Sequence, residues 1–146
     1  MSLLDSILTW DIDSIQCLAN THRDPAHPLQ RQGRLSAIVA FEYGAQAAAV
    51  HGGLCARADG KIAPPGYLVA LRDARWFVAE LNNIAAPLEV SARRLLGEAA
   101  QCIYAIQISA AGQLLAEARV TIMSQPASPS SSRTGLPPTS DGSALP

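Results

Sequence analysis

Glu42 is the residue most in need of a chemical account. It stands in RLSAIVAFEYGAQAAAVHGGLCA, from Arg34 to Ala56, a run of helix-forming residues in which Gln46 and His51 are the other main polar groups before Arg57. Apolar residues such as Leu35, Ile38, Phe41, Ala45, Ala48 and Leu54 fall on every side of that helix, a pattern that predicts enclosure by other structure. A carboxylate in such a helix has to be paired, protonated or chemically useful, because burying it uncompensated is costly. Just upstream, NTHRDPAHPLQRQG, from Asn20 to Gly33, holds two of the three histidines, His22 and His27. Pro25 and Pro28 keep that stretch out of regular structure. A carboxyl and an imidazole brought together are the parts of general acid and base chemistry. An imidazole with a pKa near 6.5 accepts a proton, and a carboxyl kept neutral by apolar surroundings donates one. Gln46, one turn after Glu42, shares its face and can orient the carboxylate or hold a water.

Each of these residues also has a plain structural reading. Glu42 can pair with Arg72 or Arg75 of the following segment, His22 and His27 can be loop residues, and His51, ahead of Gly52 and Gly53, can close or pack the helix end. Gly66 before Tyr67 reads as a backbone requirement at a strand start, and also as a place where a thin substrate arm can pass.

The elements that must position these residues follow from periodicity. Ser2 to Trp10 and Ser14 to Ala19 read as two strands joined by a turn at Asp11 to Ser14, with Ile15, Cys17 and Ala19 on one face. After the helix, Ala58 to Lys61 and Pro64 to Gly66 are punctuation. Tyr67 to Ala79 is a long strand whose alternation slips at Asp73 and Ala74, where a bulge is expected. Leu88 to Leu96, Gln101 to Ala110 and Leu114 to Met123 are three more strands, joined by short turns as an antiparallel meander. Ile103, Ile106 and Ile108 mark the apolar positions of the middle one. The order predicts an α+β fold in which a curved antiparallel sheet wraps one long helix. A single sheet layer is thin cover for so apolar a helix, which argues for a homodimer. Residues 1–123 form the domain, and 124–146, with five prolines and seven serines, read as a disordered tail.

The totals exclude several classes. A formal net charge of -1, from 11 basic and 12 acidic residues, gives no electrostatic basis for binding nucleic acid or an anionic membrane. No apolar run approaches the roughly 20 residues of a membrane helix, and the first residues lack the pattern of a secretory leader. Cys17, Cys55 and Cys102 are widely spaced and read as free thiols of a reducing compartment, which points to the cytoplasm. Histidines and cysteines at such separations form no metal-binding pattern, and no phosphate-binding glycine loop is present.

Three stretches, HRDPAHPLQRQGRL, EYGAQAAAVHG and PPGYLVALRDARW, resemble the hotdog-fold 3-hydroxyacyl-(acyl carrier protein) dehydratase-like proteins, nearest the subgroup of aryl polyene biosynthesis clusters. The resemblance spans residues 1–123. It implies a hotdog fold and dehydration of a 3-hydroxyacyl thioester on acyl carrier protein to the 2-enoyl thioester. It implies no cofactor beyond the phosphopantetheine arm of acyl carrier protein or coenzyme A. Glu42 matches the helix carboxylate of that family, and His27 approximately matches its loop histidine, with His22 the competitor. Gln46, Gly66, Tyr67 and His51 are the substrate-binding candidates. The resemblance also carries alternatives: a hotdog thioesterase, in which Glu42 faces a water beside the carbonyl, or a non-catalytic partner subunit of a heterodimer. Relatives of this subgroup carry a Pro-His stretch just before the segment matching Leu3-Leu4-Asp5, so the chain reads as a hotdog domain shortened at its N-terminus.

Overall fold

The computed structural model describes residues 2–98 and 100–124. In chain order the elements are β1 (Ser6–Trp10), β2 (Ser14–Ala19), a 3-10 turn (Thr21–Arg23), a second 3-10 turn (Ala37–Val39), α1 (Ala40–Ala58), β3 (Gly66–Trp76), β4 (Leu88–Gly97), β5 (Gln101–Ala110) and β6 (Gln113–Ser124). The strands make one antiparallel sheet in the order β1-β2-β4-β5-β6-β3. The helix lies on the face formed by β2, β4, β5 and β6. This is a hotdog-like α+β fold with one long central helix, as the order of periodic segments predicts.

Local chemistry explains the connections. Asp11 Oδ1 accepts from the Asp13 and Ser14 N–H groups, each at 2.8 Å, and so closes the β1–β2 turn. Ala111 and Gly112 sit at φ 51° and 78°, the paired positive values whose twist suits a two-residue hairpin. The expected bulge is present: the β3–β6 register shifts between Arg72 and Arg75, and Asp73 takes φ 53°.

The core is the seam between α1 and the inward sheet positions. Ile15, Cys17 and Ala19 of β2, Leu88, Val90 and Ala92 of β4, and Ala116, Ala118 and Val120 of β6 are all buried, as their alternation predicts. Each large aliphatic side chain among them contributes roughly 1.5–3 kcal/mol by leaving water. Gly44 lets α1 approach β5 closely, since a Cβ there would lie 2.3 Å from Ile106 Cδ1.

Four expectations are corrected. The helix begins at Ala40, not Arg34, because the preceding residues are used elsewhere: Ser36 bridges Glu80, Leu35 N–H donates to Asn82 Oδ1 at 2.9 Å, and Ser36 Oγ caps the 3-10 turn. On β5 the inward residues are Tyr104, Ile106, Ile108 and Ala110, so Ile103 faces the other way. A shift in the β4–β5 pairing between Arg94 and Leu96 accompanies this change of phase. Along β3, Tyr67, Leu68, Val69 and Leu71 are all exposed, because β3 is an edge strand that the helix does not cover. Finally, α1 is not enclosed by its own chain: Glu42 and Ala49 face outward, as does Ile38 on the 3-10 turn before it. Of the proline- and serine-rich stretch, Ser124 ends β6 and residues 125–146 lie outside the described residues. Among the described residues no helix is long and apolar enough to cross a membrane.

Candidate active site on the central helix

The three histidines divide by their surroundings. His51, in the middle of α1, is fully buried. Its Nε2–H donates to the Asp11 carbonyl at 2.8 Å, so its Nδ1 must accept, and Tyr104 O–H donates to it at 2.7 Å. The ring therefore ties the helix to the β1–β2 turn and to β5. Burial holds its pKa below the ordinary value, and burial likewise pushes the Tyr104 phenol up. Cys55 Sγ lies 3.5 Å from His51 Nε2 in the same buried cluster. Proposed from sequence as a substrate contact, His51 sits here as an internal staple with both ring nitrogens engaged.

His27 is also buried, and every direction in its network is determined. The Leu29 N–H donates to Nδ1 at 3.0 Å, so Nε2 carries the proton and donates to Tyr43 Oη at 3.1 Å. Thr21 O–H donates to the Leu3 carbonyl at 2.7 Å, which leaves Tyr43 O–H to donate to Thr21 Oγ1, also at 2.7 Å. The chain of bonds holds His27 neutral and pins the first residues of the protein against α1. Burial lowers the His27 pKa, and the nearby Asp24 charge offsets part of that. His22 is buried against the 84–86 segment, where Nε2–H donates to the Ile84 carbonyl at 3.0 Å. Its Nδ1 closes no hydrogen bond among the described residues. Burial again lowers its pKa, and the Ile84 and Ala86 backbone offset this in part.

Glu42 is placed differently. It follows Phe41 on the first turn of α1, and its carboxylate is exposed, with no hydrogen bond or ion pair among the described residues. Consecutive helical residues point about 100° apart, so Tyr43 turns inward to His27 while Glu42 turns outward. Within one chain the structure does not bring Glu42 and either loop histidine together. Nor do the suggested arginines reach it: Arg75 pairs with Glu117, and Arg72 stands opposite Arg119 in the β3–β6 register. Gln46 Oε1 accepts from Leu3 N–H at 2.8 Å, so it anchors the N-terminal segment beside the Glu42 face. Tyr67 is more than half exposed on the β3 edge.

Further along α1 a cleft of about 410 Å³ opens between the second half of the helix, the 61–66 connection and the ends of the sheet strands. Gly66 is part of its wall. Gly52 and Gly53 form its floor, and a Cβ added to either would meet nothing within 4 Å. Glycine inside a helix costs roughly 0.5–1 kcal/mol relative to alanine, and no packing in this chain calls for that cost. Among the described residues, no group of three or more histidine, cysteine or acidic side chains is placed to hold a metal ion.

Thr21 and Tyr104 stand in no motif of the sequence, and Tyr43, which reads as a core or interface residue, is buried as the partner of His27. The signal available was physical: a tyrosine predicted to be buried needs a partner for its hydroxyl, and neutral histidines were the partners at hand.

The dehydratase heterocomplex ApeI:P from Xenorhabdus doucetiae superposes with a TM-score of 0.78 at 23% identity, covering 86% of this chain and 84% of that one. A thioesterase from Haemophilus influenzae superposes at 0.59 with 14% identity, covering 80% and 75%. A hypothetical thioesterase with coenzyme A from Streptococcus pneumoniae does so at 0.59 with 11% identity, covering 82% and 84%. At such identities the likenesses establish the fold. Comparison with curated proteins returns no match. The profile of the ApeP-like family, described as the ApeP dehydratase, matches residues 1–133. With that match spanning nearly the whole chain, this protein belongs to the ApeP-like family of hotdog dehydratases.

Proposed function

We propose that this chain works as one subunit of a two-subunit dehydratase, converting a 3-hydroxyacyl thioester on acyl carrier protein to its 2-enoyl thioester in fatty-acid-like or polyene biosynthesis, with Glu42 as the acid. The observation that carries this reading is the position of Glu42. It is the only carboxylate within α1, on a face that its own chain leaves open beside exposed Ile38. A second subunit laid over that face would exclude water from the Glu42 carboxyl and the reacting atoms. In the elimination a base takes the proton on C2, the C3–oxygen bond breaks as the C2–C3 double bond forms, and Glu42 protonates the departing hydroxyl, which leaves as water. The proton held by the base then returns to Glu42, directly or through water, and closes the cycle.

The base comes from the partner. His27 has both ring nitrogens committed, and His22 and His51 are sealed in the interior. A second copy of this chain would bring the same closed histidines, so the partner is a hotdog subunit of different sequence. The heterocomplex of the Xenorhabdus dehydratase supports that arrangement. The unpaired apolar edge of β3 is the natural seam. Free Cys17, Cys55 and Cys102 fit the cytoplasm, where such a carrier pathway would run.

The test is a mass-spectrometric assay of the reconstituted two-subunit complex with 3-hydroxyacyl carrier-protein thioesters. Glu42→Gln is expected to lose 10²–10⁴-fold in rate, the usual range for a general acid, and His27→Gln to stay within about tenfold. Equal dehydration by Glu42→Gln and the unaltered complex removes Glu42 as the acid. Collapse in His27→Gln with the fold intact returns the base to this chain, and free acid as product makes the protein a thioesterase.

A further inference from the structure

The cleft on the second half of α1 lies in line with Glu42. At about 100° and 1.5 Å per residue, Ala49, Gly53 and Ala56 fall within roughly 40° of the Glu42 direction, at about 10, 16 and 21 Å along the axis. All three line the cleft. Its size lies within the range of small-molecule sites. Its remaining wall is largely apolar, from Ile62 and Pro64 to Ile122. Among the charged groups that line it, Lys61 and Arg94 are matched in number by Asp59 and Glu98, and Arg94, half-buried beside Cys55 and Tyr104, already donates to the Ile12 carbonyl at 2.9 Å. A phosphate-bearing group therefore finds no excess of positive charge here, whereas an alkyl or polyene chain finds a helix side of Gly52, Gly53 and small alanines. Ile62, at 94% exposure, stands on the rim without apolar cover.

We infer that this cleft receives the distal part of the substrate's acyl chain, and that Gly52 and Gly53 keep it open, so that they set the longest chain accepted. The inference rests on Glu42 marking the reacting end. A thioester whose C3 hydroxyl lies at Glu42 directs its tail along the same helix face toward Gly53. The two glycines face open space because that space belongs to the substrate.

The experiment compares Gly53→Leu and Gly53→Ala with the unaltered chain in the two-subunit complex, across 3-hydroxyacyl carrier-protein thioesters of increasing length. Thermal melting and gel filtration of each complex report folding and assembly. In Gly53→Leu the ratio of kcat/KM for the longest to the shortest accepted substrate is expected to fall at least tenfold, with Gly53→Ala intermediate and both complexes intact. An unchanged ratio overturns the inference, as does an equal loss at every length, which would give the cleft to the carrier arm. Loss of the complex in both variants also overturns it, giving the glycines to the subunit contact. Glu42→Gln run beside them separates the two readings. If Glu42→Gln remains active while Gly53→Leu shifts the length profile, the acid assignment fails and the subsite stands; if only Glu42→Gln loses activity and the profile does not move, the reverse holds.

Discussion

Acid should destabilise this protein between pH 7.5 and 5.5, because His22, His27 and His51 are all buried as neutral rings. Burial lowers the pKa of each in the folded state. The unfolded chain then binds more protons than the folded one between the lowered values and about 6.5, so stability is full above that pH and falls as pH drops. For a ring that stays unprotonated in the fold, moving from pH 7.5 to 5.5 removes about 1.4 kcal/mol, and three such rings set a ceiling of about 4 kcal/mol. That is a large part of the 5–15 kcal/mol typical of a domain. With a urea slope of about 2 kcal/mol per molar, the unfolding midpoint should fall by up to about 2 M. Asp11, whose carboxyl the Asp13 and Ser14 N–H groups hold below its ordinary pKa, titrates under this window and does not confuse it. Urea titrations at pH 7.5, 6.5 and 5.5 read the slope, and His27→Gln should remove up to about a third of it, since glutamine does not titrate. A midpoint that stays level across this range, or a slope untouched by His27→Gln, would refute the claim that these networks hold the rings neutral.

Two further substitutions test the packing of the site. Tyr43→Phe leaves the His27 Nε2–H buried without its acceptor and should cost about 1–3 kcal/mol, read as a lower melting temperature that Thr21→Ala does not add to in full, because the two share one network. Gly44→Ala forces a Cβ into Ile106 and should cost about 1–3 kcal/mol, and pairing it with Ile106→Val should recover part of the loss if the helix-to-sheet approach is as close as described.

Periodicity alone determined most of the fold. Alternation in β2 and β4, and in β6 from Ala116 to Val120, named the inward faces, because a half-buried strand repeats every second residue, whereas Leu115, on the opposite set of β6, is buried next to a shift in the β5–β6 pairing. The slip at Asp73 gave away its bulge, and Asp11 its turn, since those departures are local backbone chemistry. Glu42 was legible as a chemical anomaly on its helix, and the family motif around it named a reaction class. Where the sequence misled, the cause was long-range. Ser36 reads as helix until Glu80 and Asn82, over forty residues later, draw the chain into a bridge. His27 reads as either a loop residue or a base, and only the structure shows Leu29 and Tyr43 engaging its two nitrogens within one chain. Composition can show that a helix is apolar all round, but only the tertiary structure shows which side its own chain leaves bare. That bare side, carrying Glu42 and leading to the Gly52–Gly53 cleft, is decided by how one sheet of finite width curves around one helix.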